Sequence, residues 1–225
     1  MNKVHIKVGI IDDDETKRTQ IISCLRDYVN EFPEDIIEQY RKYELVPVEI
    51  DILPDMNAVI DDIIEKEIDV LLIDYQLSSY DSHVNYTGVG VANRADQKYL
   101  GFPVFVLTSF EADLYKKEIF DAYKVFDFER YMHDDKERIE INKKLIEQCI
   151  KRRRDIENKR EELNRLLKME GTNQEIDDRI LELDEFLERS LDGDNAISKS
   201  EKKRLLDSRY EELLKLLRKV VEEED

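Results

Sequence analysis

The 225-residue sequence predicts a doubly wound α/β domain with a five-stranded parallel sheet, followed by an all-α region. Three observations predict it. Short apolar runs alternate with amphipathic stretches up to about residue 132, the pattern of strands joined by crossover helices. One run, "DVLLID" (69–74), is nearly all apolar, as a parallel strand covered on both faces must be. After residue 133 strand signals stop, and apolar residues recur only at helical spacing.

Five strands are read in order: "KVGII" (7–11), "VEIDIL" (48–53), "DVLLID" (69–74), "PVFVLTS" (103–109) and "KVFDF" (124–128). The stretches between them carry helical stripes. Ile21, Ile22, Leu25 and Val29 form the first, and Met56, Val59, Ile60, Ile63 and Ile64 the second. Val89, Ala92 and Ala95 mark a third, and Leu114, Ile119 and Ala122 a fourth. The division into domains falls at 133/134. From there one long helix is expected, with Ile139, Leu145, Ile146, Cys149, Ile156, Leu163 and Leu167 on its stripe, ending near Gly171. "TNQE" (172–175) and "SKSE" (198–201) are capping-box patterns that open two more helices. The first carries Ile176, Ile180, Leu183 and Leu187, and the second Leu205, Leu206, Tyr210, Leu213, Leu217 and Val220. Three amphipathic helices must hide these stripes on one another, on the sheet domain or on a second copy of the chain.

Composition narrows the function classes. The net charge is −18, and the first 133 residues hold 14 basic against 27 acidic residues while the remainder hold 22 against 27. This acidity argues against a non-specific grip on nucleic acid. "KRRR" (151–154) is flanked by acids on a helix and reads as a solvated face. Cys24 and Cys149 are 125 positions apart and form no ligand spacing, which fits two core thiols in a reducing cytoplasm. No signal-peptide pattern and no apolar run of about 18 residues is present, so membrane insertion is not expected.

The chemistry gathers at the strand ends. In an open parallel sheet, ligands bind beyond the carboxyl ends of the strands. Asp12 and Asp13 close the first strand, Asp74 the third, and Thr108 the fourth. If those strands are neighbours, three carboxylates share one crevice, which is costly alone and favourable around a hard divalent cation such as Mg²⁺. Asp14 and Glu15 instead suit the start of the next helix, where acids meet the positive end of the dipole.

In order, "IIDDDETKRT", "DVLLIDYQL" and "VFVLTSF" resemble the receiver domain of two-component response regulators over roughly residues 4–132. The resemblance implies a flavodoxin-like (CheY-like) sheet of order 2-1-3-4-5. It implies a phosphorelay in which Asp74 takes a phosphoryl group from a histidine kinase or phosphotransfer protein. By the same resemblance Asp12, Asp13, Asp74 and the backbone carbonyl of Gln76 would hold Mg²⁺, and Thr108 would contact the phosphoryl oxygens as a switch. The helical region would be the output, acting by protein contact or by homodimerisation.

The sequence departs from that family at strand five. The family places a Lys there, usually followed by Pro, whereas this chain reads "KVFDFERYM". Counting from Thr108 reaches Arg130, a candidate substitute, but a shift of one reaches Glu129. A degenerate receiver acting as an adaptor is therefore the second reading. A metal-dependent phosphatase built on Asp12-x-Asp14 is the third. The stretch "YQLSSYDSHVNYTG" after Asp74 is long, and reads equally as a lid bearing Tyr80 and Tyr86 or as a tolerated surface insertion. His83 within it has no second ligand nearby in sequence, and Gly88 sits where the family has its loop glycine.

Overall fold

A computed structural model of the chain describes residues 3–77, 84–109, 124–171, 173–191, 193 and 196–209. The predicted helix around Leu114, Ile119 and Ala122 lies outside the described residues, as do Ser78, Tyr80, His83, Thr172 and everything from Tyr210 onward. By internal contacts the chain divides into two compact units, residues 1–154 and 155–225.

The first unit runs β1 (Val4–Ile11), α1 (Glu15–Glu31), α2 (Glu34–Tyr40), β2 (Tyr43–Glu49), α3 (Met56–Glu65), β3 (Val70–Ile73), α4 (Gly88–Lys98), β4 (Val104–Thr108), β5 (Val125–Asp127) and α5 (Phe128–His133). The long helix α6 (Asp135–Leu166) follows, then a 3₁₀ turn, Leu167–Met169, and α7 (Gln174–Leu191). All strand pairs are parallel, in the order β2-β1-β3-β4-β5. The parallel sheet is the one the strand pattern predicts, and its order is the one the resemblance implies.

The period-two alternation of the strands divides the core. Ile6, Ile10, Leu72, Phe105, Leu107 and Phe126 face one side, under Ile21, Leu25 and Tyr28 of α1 and Ile141, Leu145, Ile146 and Cys149 of α6. Ile11, Leu71, Ile73, Val104, Val106 and Val125 face the other, under Val59, Ile60 and Ile63 of α3 and Val89, Val91, Ala92 and Ala95 of α4. Each fully buried aliphatic side chain contributes roughly 1.5–3 kcal/mol. The first half of α6 is thus part of the sheet's covering. Arg138 locks it there: its guanidinium spans both carboxylate oxygens of Glu31 on α1, each at 2.9 Å, and donates to the carbonyls of Tyr131 and Met132 in α5.

Beyond shifts of one to three residues at other strand ends and the short helix α5 after β5, two elements differ from expectation. β2 covers 43–49 rather than 48–53. Pro47 hides it, because a proline inside an apolar run argues against a central strand, whereas β2 is an edge strand and tolerates it. Ile50, Ile52 and Leu53 form the loop beyond it and pack into the second core layer. The short helix α2 also lacks a sequence signature. Tyr40 at its end packs edge-on against Phe32, which packs edge-on against Tyr28. The basic cluster serves the α/β unit: Arg153 pairs with Asp69 at 2.7 Å, and Arg152 lies over the ring of Phe102.

In the second unit α7 buries Ile180, Leu183 and Leu187. Its opening is capped by Asn173, whose side chain accepts from the Glu175 amide at 2.8 Å, one residue past the predicted Thr172. At the second pattern Ser198 accepts from the Glu201 amide at 3.2 Å as helical backbone resumes over 199–209, while the Glu201 carboxylate pairs with Arg204. Ion pairs are dense here, among them Arg179–Glu162, Lys199–Glu182 and Lys202 with Asp184 and Glu188. Among the described residues no helix is long and apolar enough to cross a membrane.

Candidate functional site

The register of the sheet brings the acids together. Ile11 of β1 pairs with Ile73 of β3, so Asp12 and Asp74 emerge side by side one residue later. The Asp74 amide donates to the Ile11 carbonyl at 2.8 Å and fixes this alignment. Ile73 in turn pairs with Val106 of β4, which places Thr108 just beyond, with its hydroxyl bonded to the Asp74 carboxylate. Asp12, Asp13 and Asp74 each offer an oxygen within 4.8 Å of the others. Asp12 and Asp74 are only 2% and 4% exposed, and Thr108 is fully buried.

Local bonding holds each group. Asp12 Oδ1 accepts from the Asp14 amide at 2.8 Å, and the Asp12 carbonyl accepts from Arg18 Nη1 at 2.6 Å. Arg18 also pairs with Glu49 at the end of β2, which ties the two strand ends. Asp14 turns away and caps α1, accepting from the amides of Thr16 and Lys17, as the sequence predicts. Asp74 Oδ1 accepts from the Tyr75 amide at 2.8 Å. Gly88 closes the far wall: its amide donates to the Tyr75 carbonyl, and a Cβ there would stand 1.9 Å from the Asp74 carbonyl oxygen. Gln76, two residues past Asp74, is exposed. A cleft of about 220 Å³ borders the acids, lined by Asp12, Asp13, Arg18, Glu49, Asp51 and neighbouring apolar side chains.

These carboxylates are electrostatically costly. Burial pushes the Asp12 carboxyl up to about 7, and the neighbouring charge of Asp74 adds to the rise against the bond from the Asp14 amide. Burial also raises the Asp74 carboxyl, opposed first by the charge of Lys17 and then by the bonds from Thr108 and Tyr75. Such perturbed groups converging in a cleft mark functional sites more often than surface acids do.

The cation at Asp74 comes from an unpredicted place. Lys17, in the first turn of α1, holds its Nζ 3.7 Å from Asp74 Oδ2. The same Nζ lies 5.1 Å over the ring of Phe128. Arg130 is exposed in α5, and among the described residues no ion pair joins it to Asp74. Glu129 is also exposed and faces His133 at 3.4 Å. The residue of β5 level with Thr108 is Asp127, and its carboxylate caps α5 by accepting from the Arg130 amide at 2.8 Å. Nothing in the spacing marks Lys17. The available signal was the charge balance, since three converging acids call for a nearby cation and "TKR" follows them directly.

Phe126 and Phe128 are core residues. The Tyr86 hydroxyl donates to the Leu53 carbonyl in the loop before α3. Strands β1, β3 and β4 thus carry the acids and the hydroxyl at their carboxyl ends, on a sheet of order 2-1-3-4-5. The fold is receiver-like.

No protein-family model matches the chain, and no curated protein matches it. Among solved structures it is similar to the anti-anti-sigma factor PhyR from Bartonella quintana, at 17% identity, with 69% of this chain and 51% of that chain covered and a TM-score of 0.40. A double mutant of that protein matches at 17% identity, with 68% and 51% covered and a TM-score of 0.40. A yeast Spc42 trimeric coiled-coil segment fused to another structure matches at 17% identity, with 78% and 88% covered and a TM-score of 0.41. The chain spans about half the length of the PhyR chains it matches.

Proposed function

We propose that the chain is a response regulator of a phosphorelay that accepts a phosphoryl group on Asp74, from a histidine kinase or phosphotransfer protein in the cytoplasm. The supporting observation is the meeting of Asp12, Asp13 and Asp74 within 4.8 Å, with Thr108 bonded to Asp74. In the transfer an Asp74 oxygen forms a bond to phosphorus while the bond from phosphorus to the donor breaks. With phosphohistidine the departing imidazole keeps the electron pair and takes up a proton.

The donor set fits Mg²⁺: all-carboxylate oxygen, largely buried, with charges that a hard cation offsets. Asp12, Asp13, Asp74 and the Gln76 carbonyl would hold it. Bound there, Mg²⁺ supplies neutralising charge to an incoming phosphoryl group. Thr108 offers the oxygens a hydroxyl from a rigid strand end. Output would pass through protein contacts of the C-terminal helices, including pairing with a second copy.

The test is incubation of the full chain with acetyl phosphate, with and without Mg²⁺, followed by intact mass. The expected result is one Mg²⁺-dependent phosphoryl group, lost in Asp74→Asn. A second reading, an adaptor that works without phosphorylation, is favoured by the use of Asp127 as a helix cap where the family has a cation. It predicts no labelling and partner binding indifferent to Asp74→Asn.

A further inference from the structure

We propose that Lys17, on α1, is the cation that receives the phosphoryl group at Asp74, and that it competes with the divalent cation for the same carboxylate beforehand. The inference rests on the reading of Asp74 as the phosphoacceptor.

The geometry selects Lys17. Its Nζ is 3.7 Å from Asp74 Oδ2, and its side chain is only 22% exposed. The backbone is anchored, because the Lys17 amide donates to the Asp14 side chain that caps α1. The stem is guided by the buried ring of Phe128, which the ammonium overlies. Phe128 follows Asp127 directly, so the turn from β5 into α5 contributes an aromatic platform beneath the ammonium. An ammonium has three donors on a flexible stem, so it can stay paired with Asp74 across 3.7 Å while turning an N–H toward a phosphoryl oxygen.

Charge explains two opposite effects of one residue. When Asp74 attacks acetyl phosphate, the new O–P bond forms as the P–O bond to acetate breaks, and acetate leaves with the electron pair. Nothing is oxidised or reduced. The carboxylate's single charge gives way to a phosphoryl group of greater negative charge, so a cation at 3–4 Å stabilises the product and the path to it more than the starting state. Before transfer, the same ammonium neutralises part of the acidic cluster and repels a second cation. Lys17 therefore weakens Mg²⁺ binding while accelerating phosphoryl uptake.

The experiment compares the full chain with Lys17→Met and Lys17→Arg. Methionine keeps an apolar stem over Phe128 and removes the charge, and arginine keeps the charge. Labelling by acetyl phosphate is followed at saturating Mg²⁺, Mg²⁺ affinity by calorimetry, and folding by Tm. Lys17→Met is expected to slow labelling by about 10- to 100-fold, in line with the loss of one preorganised charge partner, and to tighten Mg²⁺ binding. Lys17→Arg should recover most of the labelling rate. Unchanged labelling of Asp74 in Lys17→Met would overturn the role of Lys17 and leave the phosphoacceptor reading intact. Weaker Mg²⁺ binding together with a lower Tm in Lys17→Met would mark a merely structural lysine and also overturn it. Absence of labelling in the unmodified chain would overturn both.

Discussion

The ends of β1 and β5 use the same residue type for different purposes. At β1, Asp14 caps α1 while Asp12 and Asp13 meet Asp74 in the crevice. At β5, the strand ends one residue earlier in its chemistry: Asp127, the residue level with Thr108, is itself the cap of α5. The charge is supplied instead by Lys17, which reaches back from α1 across Phe128. A site needs a balanced set of charges at fixed distances, and the element that carries each charge can change.

The largest effect is expected from Arg138→Ala. Arg138 joins Glu31 of α1 to the carbonyls that end α5, so it holds Lys17's helix against the helix that Phe128 begins. Removing it leaves Glu31 and two carbonyls unpaired, at a cost of about 3–5 kcal/mol in urea unfolding. A loss near zero would show that α1 is positioned without it.

Asp12→Asn should act in the opposite direction. The Asp12 carboxyl stands at about 7 in the folded chain against an ordinary 3.8, so the folded state holds this proton more tightly. The group's contribution is neutral below both values and becomes unfavourable as pH rises from about 4 to 7. Asparagine keeps an acceptor for the Asp14 amide without the charge. In metal-free buffer Asp12→Asn should stabilise the chain by about 2–4 kcal/mol at pH 8, at about 1.4 kcal/mol per pKa unit, and not at all at pH 4. Equal effects at both pH values would contradict the assignment of that cost to a buried charge.

Gly88→Ala should cost about 1–3 kcal/mol, because its Cβ meets the Asp74 carbonyl. It should slow labelling as well by displacing the end of β3. The two caps provide a closer comparison. Asp14→Ala and Asp127→Ala should each cost about 1 kcal/mol, but only Asp14→Ala should slow labelling, since it loosens the turn that carries Lys17. Smallest of all, Arg130→Ala should change stability by less than about 0.5 kcal/mol and leave the labelling rate unaltered.

The same contrast explains what was legible in the sequence. β3 and β4 are short, nearly pure apolar runs and β1 ends in one, and the groups at their ends are positioned by backbone register. Asp12, Asp13, Asp74 and Thr108 could therefore be picked out as converging before any coordinates. Lys17 could not, because its place depends on a side chain spanning from a helix to a different strand, and sequence spacing does not encode that reach. Counting along the chain reaches Arg130, and because β5 stops at Asp127 that residue lies in the first turn of α5. β2 was misplaced for a related reason: Pro47 interrupts the strand pattern, while Ile50, Ile52 and Leu53 extend an apolar alternation into a loop that the core happens to bury.

The most direct test is a crystal structure of the full chain with Mg²⁺ and beryllium fluoride, a phosphoryl mimic, bound at Asp74. The account predicts the metal among Asp12, Asp13 and Asp74, Thr108 and Lys17 Nζ on the fluorides, and Arg130 still exposed. A mimic contacted by Arg130 with Lys17 turned to solvent, or a site that takes up neither the mimic nor the metal, would contradict it.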